Sequence, residues 1–469
     1  MRRCAIARLR PAAAVLATIA ATLAVSPASA DGEALSERLG ETIPARLAAD
    51  GVAGLVVVLI EGGTPVWTAA FGTADPAAGR PLTADALFRV ESLSKPVTAW
   101  SAMRLAETGR LDLDAPVANC LHRWRRPPEA GEITPRALLT HTAGIDLGDF
   151  SQRFAPGAAM PDLPAHVAQD FQVMPAAGGH FSYSYTGYNL LELVVEDCVG
   201  EQFADFMVRE VLAPLGMTRA GFVPTGVEMP VGHDLHGRPV APYVYPAHAS
   251  GGLLATATDM ARFAAAGMAG ARQDVLTADG VASLHHPAVA VGGLFGRVAE
   301  GYGLGHFTET LSDGRRAVWH GGQGYDWISH MHLVPETGAG IVPLSNSQRA
   351  WPLFAAILRD WSDSLGVEPV GMVRILLAEQ AARIAIALAF ATAGLAFWRA
   401  FRGCRPAPAL RLVVGGVAAG LILWPAWAAN RDYLFLFSSL PGLWPWLGAG
   451  SVVAGAGLLA LSLAPGRRS

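Results

Sequence analysis

The chain of 469 residues has almost no lysine: of 35 basic side chains, 34 are arginine and one, Lys95, is lysine. Charge of either sign is also scarce. Asp, Glu, Lys and Arg make up 16% of the residues, against about 25% in an ordinary soluble domain. Cysteine occurs four times, too few for a disulfide framework to stand in for a core. What replaces these residues is apolar: 52% of the chain is hydrophobic and the mean hydropathy is +0.33. That content excludes a disordered chain and argues against a wholly soluble one. The length has room for roughly two to three domains.

The apolar residues are concentrated at the two ends. Residues 1–30 read as an export signal, with Arg2, Arg3, Arg8 and Arg10 ahead of an apolar run over 12–25 and a small-residue cleavage site at Ala28-Ser29-Ala30. An uncleaved anchor is the alternative, although the run is short for a span. Residues 371–469 read as a linker followed by three transmembrane helices at about 382–400, 412–429 and 445–464. Arg399, Arg402, Arg405 and Arg411 lie between the first two, and Arg467 and Arg468 follow the third, with no acid among them. The positive-inside tendency puts both sites in the cytoplasm, and residues 31–373 then face outward, as an export signal also demands. Trp424, Trp427, Tyr433, Trp444 and Trp446 flank the outer connection as an interfacial belt. The spans carry no ionisable residue near their centres, which argues against a transport pathway.

The overall net charge of −4 hides a division. Residues 31–373 hold 22 basic and 37 acidic side chains, a net −15, whereas residues 374–469 hold nine basic and two acidic. An outward domain this acidic is not a nucleic-acid binder, which needs clustered cations. Of the four cysteines, Cys4 leaves with the signal and Cys404 falls in the cytoplasmic loop. Cys120 and Cys198 remain outside, where a disulfide is permitted; two separate buried thiols fit the sequence as well.

Within residues 31–370, Leu55–Glu61 and Val66–Phe71 flank Gly62-Gly63 and read as a β-hairpin. Near the other end, Arg316–His320, Ile328–Val334 and Gly338–Leu344 read as three more strands, followed by a helix at about 351–365. The middle is richer in helical patterns, such as Val97–Thr108 and Tyr188–Val199. Thr134–Thr140 is a short helix candidate with Thr134 at its N-cap and Pro135 at its first position. The economical arrangement is an antiparallel sheet built from both ends of the domain, bracketing a helical lobe.

The single lysine lies in Ser92-Leu93-Ser94-Lys95. If a helix begins there, Ser92 and Lys95 share a face, which sets a hydroxyl beside an amine able to take its proton. Backbone N–H groups at the helix start suit a developing oxyanion. A Ser-x-x-Lys spacing alone is equally what a capping serine and a solvated lysine produce. Its surroundings are more specific. Phe88-Arg89-Val90-Glu91-Ser92-Leu93-Ser94-Lys95-Pro96-Val97-Thr98-Ala99 resembles the active-site segment of the serine β-lactamase and penicillin-binding protein family, in its class C-like branch. The likeness continues in family order through Leu138-Leu139-Thr140-His141-Thr142-Ala143-Gly144, Phe181-Ser182-Tyr183-Ser184-Tyr185, Pro214-Leu215-Gly216-Met217-Thr218, Ser250-Gly251-Gly252-Leu253 and His320-Gly321-Gly322.

The resemblance implies an α/β two-lobed β-lactamase-like fold and a serine acyl-transfer mechanism. In that mechanism Ser92 attacks a carbonyl, Lys95 helps to activate it, and Tyr183 is the partner base and acid; which of the two takes the proton stays open. Tyr185, His320, Gly321, Gly322 and Gln323 fall at substrate-binding positions, with the N–H groups of Ser92 and Gln323 as the oxyanion hole. Two departures stand out. Tyr185 occupies the place of a family asparagine, and a phenol cannot reproduce the amide's donor and acceptor roles in the same geometry. His320 replaces a lysine and carries less positive charge at neutral pH. Both lean away from recognising the carboxylate of a β-lactam and towards an esterase, an amidase or a D-amino-acid peptidase. The expectation is therefore a membrane-anchored, extracytoplasmic serine hydrolase, with a small-molecule or peptide substrate, no cofactor and no metal. A penicillin-binding or cell-wall-peptide-sensing module with little turnover is the alternative. His141 reads as structural. His285-His286 as a loop pair, and His330-x-His332 on a strand without carboxylate partners, do not make a metal site.

Overall fold

The computed structural model describes residues 35–149, 151–174, 178–223, 229–404, 406–429 and 434–464. The export signal, Arg405, Arg467 and Arg468 lie outside them. The strands are β1 (Gly54–Glu61), β2 (Thr64–Asp75), β3 (Arg80–Pro81), β4 (Phe88–Arg89), β5 (Leu254–Ala255), β6 (Val289–Ala290), β7 (Gly301–Tyr302), β8 (Phe307–Thr310), β9 (Arg316–Gln323), β10 (Ile328–Val334) and β11 (Ala339–Ser345). Nine of them form one antiparallel sheet in the order β3-β2-β1-β11-β10-β9-β8-β7-β6, and β4 pairs separately with β5.

The β1–β2 hairpin turns at Gly62-Gly63, as the alternation between apolar runs and glycines predicts. Its first strand then pairs with the last, from Leu55↔Ser345 to Ile60↔Gly340, so the two ends of the domain meet in the middle of the sheet. β1 is apolar from Leu55 to Ile60 because both of its faces are covered there, and only Glu61 at its end is exposed. Val56, Val58 and Ile60 enter one core, with Leu93, Trp100, Tyr188 and Leu191 from the helical lobe. Leu55, Val57 and Leu59 enter the other, with Leu39, Ile43, Trp351 and Phe354. Alternate side chains of one strand thus feed two cores, as the two-residue period requires.

The helices covering the sheet are α1 (Leu35–Asp50), α2 (Ser94–Glu107), α3 (Pro135–Leu139), α4 (Leu163–Asp170), α5 (Tyr185–Val199), α6 (Ala257–Ala266), α7 (Ala278–His285) and α8 (Trp351–Ser364). The α3 start is as expected: Thr134 Oγ1 accepts the Ala137 N–H at 3.1 Å, and Pro135 stands at the first position. α7 corrects one expectation, since His285 closes a helix rather than sitting in a loop. The structure also joins Cys120 to Cys198, at the end of α5, as a disulfide with a Cα–Cα distance of 5.1 Å.

Among the described residues, three helices are long and apolar enough to cross a membrane: Gly371–Phe401, Pro408–Ala429 and Trp444–Leu463. They contain α9 (Arg374–Phe401), α10 (Pro408–Ala429) and α12 (Trp444–Leu463). The segment read as a linker is already helical from Arg374, with Glu379 and Arg383 one turn apart on it, 3.8 Å between charges. α10 and α12 approach closely: a Cβ on Gly455 would sit 2.7 Å from Ile422 and 2.8 Å from the Ala418 carbonyl. Small residues at such contacts are what membrane helix packing uses. The short α11 (Leu434–Ser439) belongs with the sheet-containing body, together with residues up to Pro441.

Candidate active site

The site is built on the turn that enters α2. Glu91–Leu93 form a single 3₁₀ turn, and Glu91 adopts φ +51°, unusual for a side chain with a Cβ. The turn is tied on all sides. Ser94 Oγ donates to the Glu91 carbonyl at 2.7 Å and accepts the Leu253 N–H at 3.0 Å. Ser329 Oγ donates to the Val90 carbonyl at 2.6 Å. The helix proper starts at Ser94, and Pro96 sits in its first turn, where a missing N–H costs nothing.

Ser92 and Lys95 meet as their spacing predicts: Lys95 Nζ lies 3.2 Å from Ser92 Oγ. The same nitrogen donates to the Ser250 carbonyl at 2.7 Å. Lys95 is fully buried, and its nitrogen sits over the rings of Tyr183, Tyr185 and Tyr188 at 4.9, 4.2 and 5.5 Å. Burial drives its pKa well below the lysine range, against a smaller opposing pull from Glu91. The phenols of Tyr183 and Tyr185 both reach Ser92, and burial raises the pKa of each.

Tyr183 is positioned by His141, which sequence reading set aside as structural. His141 also has positive φ, +57°. Its carbonyl accepts the Ser182 N–H at 2.8 Å, its Nδ1 accepts the Ser184 N–H at 3.1 Å, and its ring lies 4.4 Å from that of Tyr183. Tyr185 is fixed by its own N–H, which donates to the Leu147 carbonyl at 2.8 Å.

The other wall is the end of β9. Pairing with β8 stops at Trp319, so His320–Gln323 are paired only with β10. Gly324 N–H donates to the Trp327 carbonyl at 2.9 Å and closes the β9–β10 hairpin. Bonded and non-bonded pairs alternate in an antiparallel ladder, so the Gln323 N–H points away from β10, into the open edge. Gly322 faces Ser92 there. A Cβ on it would stand 2.2 Å from Ser329 Oγ, 2.3 Å from the Val90 carbonyl and 3.1 Å from the Ser92 nitrogen, so only glycine lets the strand come this close.

His320 lies deeper than a substrate-contacting residue would. It is fully buried, its Nε2 is 3.2 Å from the Tyr302 hydroxyl, and its Nδ1 is 2.8 Å from the Gly321 carbonyl. Burial, and then the neighbouring Lys95, lower its pKa well below the histidine range. It backs the Tyr183 ring at 6.1 Å between centroids. His330 and His332 pair with each other at 3.2 Å, also buried, with Glu309 3.5 Å from His332. Among the described residues no group of three or more His, Cys, Asp or Glu is arranged to hold a metal ion.

Sequence reading also passed over Glu91. Its buried carboxyl accepts from Tyr245 at 3.0 Å and from Tyr243 at 3.3 Å, and Tyr243 is shared with Asp326 at 2.6 Å. Burial pushes the Glu91 pKa up to about 8. With Tyr185, Asn189, His166, Asp170 and Gln323 it lines a recess beside the nucleophile turn.

The beta-lactamase family profile matches residues 39–360. The chain belongs to the beta-lactamase family. Its relatives include esterase EstB of Burkholderia gladioli, 31% identical over 210 residues, covering 41% of this chain and 53% of that one. Penicillin-binding protein 4 of Amycolatopsis lactamdurans is 28% identical over 60% of this chain and 78% of its own. The chain spans about half the length of the esterase and 36% of penicillin-binding protein 4* of Bacillus subtilis. Among solved structures, the octameric penicillin-binding protein homologue from Pyrococcus abyssi superposes with a TM-score of 0.62 at 25% identity, over 71% of this chain and 78% of that one. A class C β-lactamase from Rhodobacter sphaeroides shares the fold with a TM-score of 0.55 at 21% identity, over 67% and 94% of the two chains. The family is one of serine hydrolases, and the sheet with its helical lobe is its fold.

Proposed function

We propose that the chain is a membrane-anchored serine hydrolase whose catalytic domain lies outside the cytoplasmic membrane and which cleaves an ester or amide through an acyl-enzyme on Ser92. The observation that carries this reading is the Lys95 nitrogen, buried, depressed in pKa and 3.2 Å from Ser92 Oγ. A lysine held towards its neutral amine is a proton acceptor, and that proximity activates a serine hydroxyl. Ser92 Oγ bonds to the substrate carbonyl carbon while its proton passes to the Lys95 amine, directly or through the Tyr183 hydroxyl, which gives up its own proton as it takes the serine's. The carbonyl electrons move onto oxygen, where the Ser92 and Gln323 N–H groups face them. The tetrahedral centre then collapses, and the same groups return the proton to the departing alcohol or amine. Water repeats the sequence to release the acid.

Tyr185 narrows the substrate class. A phenol stands where the family pattern has an amide, and His320 is buried against Tyr302 instead of offering a cation. Both features favour an ester, a D-amino-acid amide or a peptide stem over a β-lactam carboxylate. The Cys120–Cys198 disulfide supports an oxidising compartment, and three membrane-length helices with arginine-rich ends support the anchoring.

A fluorophosphonate probe and a panel of p-nitrophenyl esters, D-amino-acid p-nitroanilides, muropeptide stems and a chromogenic cephalosporin test the proposal. Labelling of Ser92, with turnover abolished in Ser92→Ala, is expected. Well-folded protein that the probe leaves unlabelled overturns it. Labelling with a persistent acyl adduct and no turnover points to the sensing module instead.

A further inference from the structure

Gln323 presents its backbone to Ser92, but its side chain points the other way. Successive residues of a strand face opposite sides of the sheet. Gly322 packs on the nucleophile turn, so Gln323 projects onto the face covered by α8. There Gln323 Oε1 accepts two hydrogen bonds. One comes from Trp351 Nε1 at the start of α8, at 2.7 Å. The other comes from Ser438 Oγ, also at 2.7 Å. Two donors use both lone pairs of an amide oxygen.

Ser438 lies in α11, in the connection between the second and third membrane-length helices, more than a hundred residues beyond Gln323. It is fully buried, with Ser439 and Leu440 nearly so, and residues 434–441 belong to the same compact body as the hydrolase domain. A connection that only joined two helices would have no reason to bury a hydroxyl against the active-site strand. The strand end it holds is also the one with least support, because β8 stops at Trp319 and β10 alone pairs with His320–Gln323.

We propose that Ser438 is a positioning residue: through Gln323 Oε1 it fixes the β9 end whose N–H receives the oxyanion, so the connection between the second and third helices is a working part of the active site. This rests on the reading that Ser92 acylates and that the Gln323 N–H stabilises the oxyanion. A misplacement of about 1 Å in a catalytic group costs up to about a hundredfold in rate. Loss of one of two anchors costs less, roughly five- to tenfold, about the worth of one hydrogen bond.

The full-length protein in detergent, assayed with a p-nitrophenyl ester, tests this with Ser438→Ala, Ser438→Thr, Gln323→Leu and the Ser438→Ala/Gln323→Leu double variant. Ser438→Ala is expected to lower kcat about five- to tenfold, with KM and the melting midpoint near wild type, and Ser438→Thr to restore kcat. Gln323→Leu keeps the N–H but loses the anchor, so the double variant is expected to be no slower than Gln323→Leu alone. Wild-type kcat in Ser438→Ala overturns the proposal, as do fully additive losses or a kcat loss that tracks a loss of melting midpoint. Ester hydrolysis that survives in Ser92→Ala would overturn the underlying reading instead, and the two failures are read from different variants.

Discussion

Gly322→Ala isolates the closeness of β9 to the nucleophile. The added methyl would stand 2.2 Å from Ser329 Oγ and 2.3 Å from the Val90 carbonyl. Both are far inside any real carbon contact. The serine hydroxyl can rotate aside only by giving up its 2.6 Å bond to that same carbonyl. The carbonyl is itself held in place, since it also accepts the Leu93 N–H at 3.1 Å. The strand must therefore back away from the Ser92 turn by roughly 1 Å, a displacement that costs on the order of a hundredfold in rate when a reacting group suffers it. The stability cost of such overpacking is about 1–3 kcal/mol, which a domain of this size survives. The two quantities separate in a paired assay. Thermal melting is expected to show a folded protein with a modestly lower midpoint, and ester hydrolysis a kcat down by about two orders of magnitude. Labelling of Ser92 by a fluorophosphonate is expected to slow in step, since that reaction uses the same oxyanion site. A folded Gly322→Ala protein with wild-type kcat would refute the placement of β9 as the oxyanion wall.

Three further outcomes are expected. Lys95→Met abolishes ester turnover yet raises the melting midpoint, because a buried amine that must shed its proton costs stability and a thioether does not; a lower midpoint would contradict the burial argument. The native state keeps the Glu91 proton up to about pH 8, whereas the unfolded chain loses it near the ordinary glutamate value, so this group's contribution is lost as pH rises through that window; denaturant unfolding of wild type and Glu91→Gln between pH 5 and 8 is expected to show a flatter decline in the variant, and parallel curves would refute it. Reducing the disulfide that closes a 78-residue separation removes, on the chain-entropy account, about 4.5 kcal/mol, read as a lower unfolding midpoint in Cys120→Ser/Cys198→Ser; an unchanged midpoint would refute the bridge.

The parts of this fold that the sequence announces are those where one period runs long enough to be seen. β1 is a continuous apolar run stopped by Gly62-Gly63, and β10 and β11 are separated by Glu336-Thr337-Gly338, so their pattern is local. Strands β6, β7 and β8 have two, two and four residues, too short to show alternation. Their absence from the reading is why His320 was placed against the substrate: Tyr302 on β7 and Phe307 on β8 are residues that cover it. The 5.1 Å approach of Cys120 to Cys198 depends on how α5 ends against a loop 78 residues earlier, which no spacing encodes. Ser92, Lys95 and Tyr183 were legible through the order of their segments. His141 read as structural, and the structure gives it the structural task of holding the Tyr183 segment. Glu91 was not legible, because what marks it is a backbone angle, and a positive φ on a residue with a side chain leaves no trace in the letters.

Taken together, the ionisable groups around Ser92 share one property. Burial is the first cause of the shift in each of Lys95, Tyr183, Tyr185, His320 and Glu91, and in every case it favours the uncharged form. An amine, two phenols, an imidazole and a carboxylic acid thus surround the nucleophile, each biased by burial towards its uncharged form. In the proposed reaction, charge develops when the Ser92 proton moves and the carbonyl oxygen becomes an oxyanion. The groups facing that oxygen are backbone N–H dipoles fixed in advance, so stabilisation is concentrated on the transition state and little of it is spent on the resting site. Arginine could not take the place of Lys95 in such a site, since a guanidinium does not release its proton. In a chain that uses arginine at 34 of 35 basic positions, the one lysine stands where the chemistry requires a cation able to become neutral.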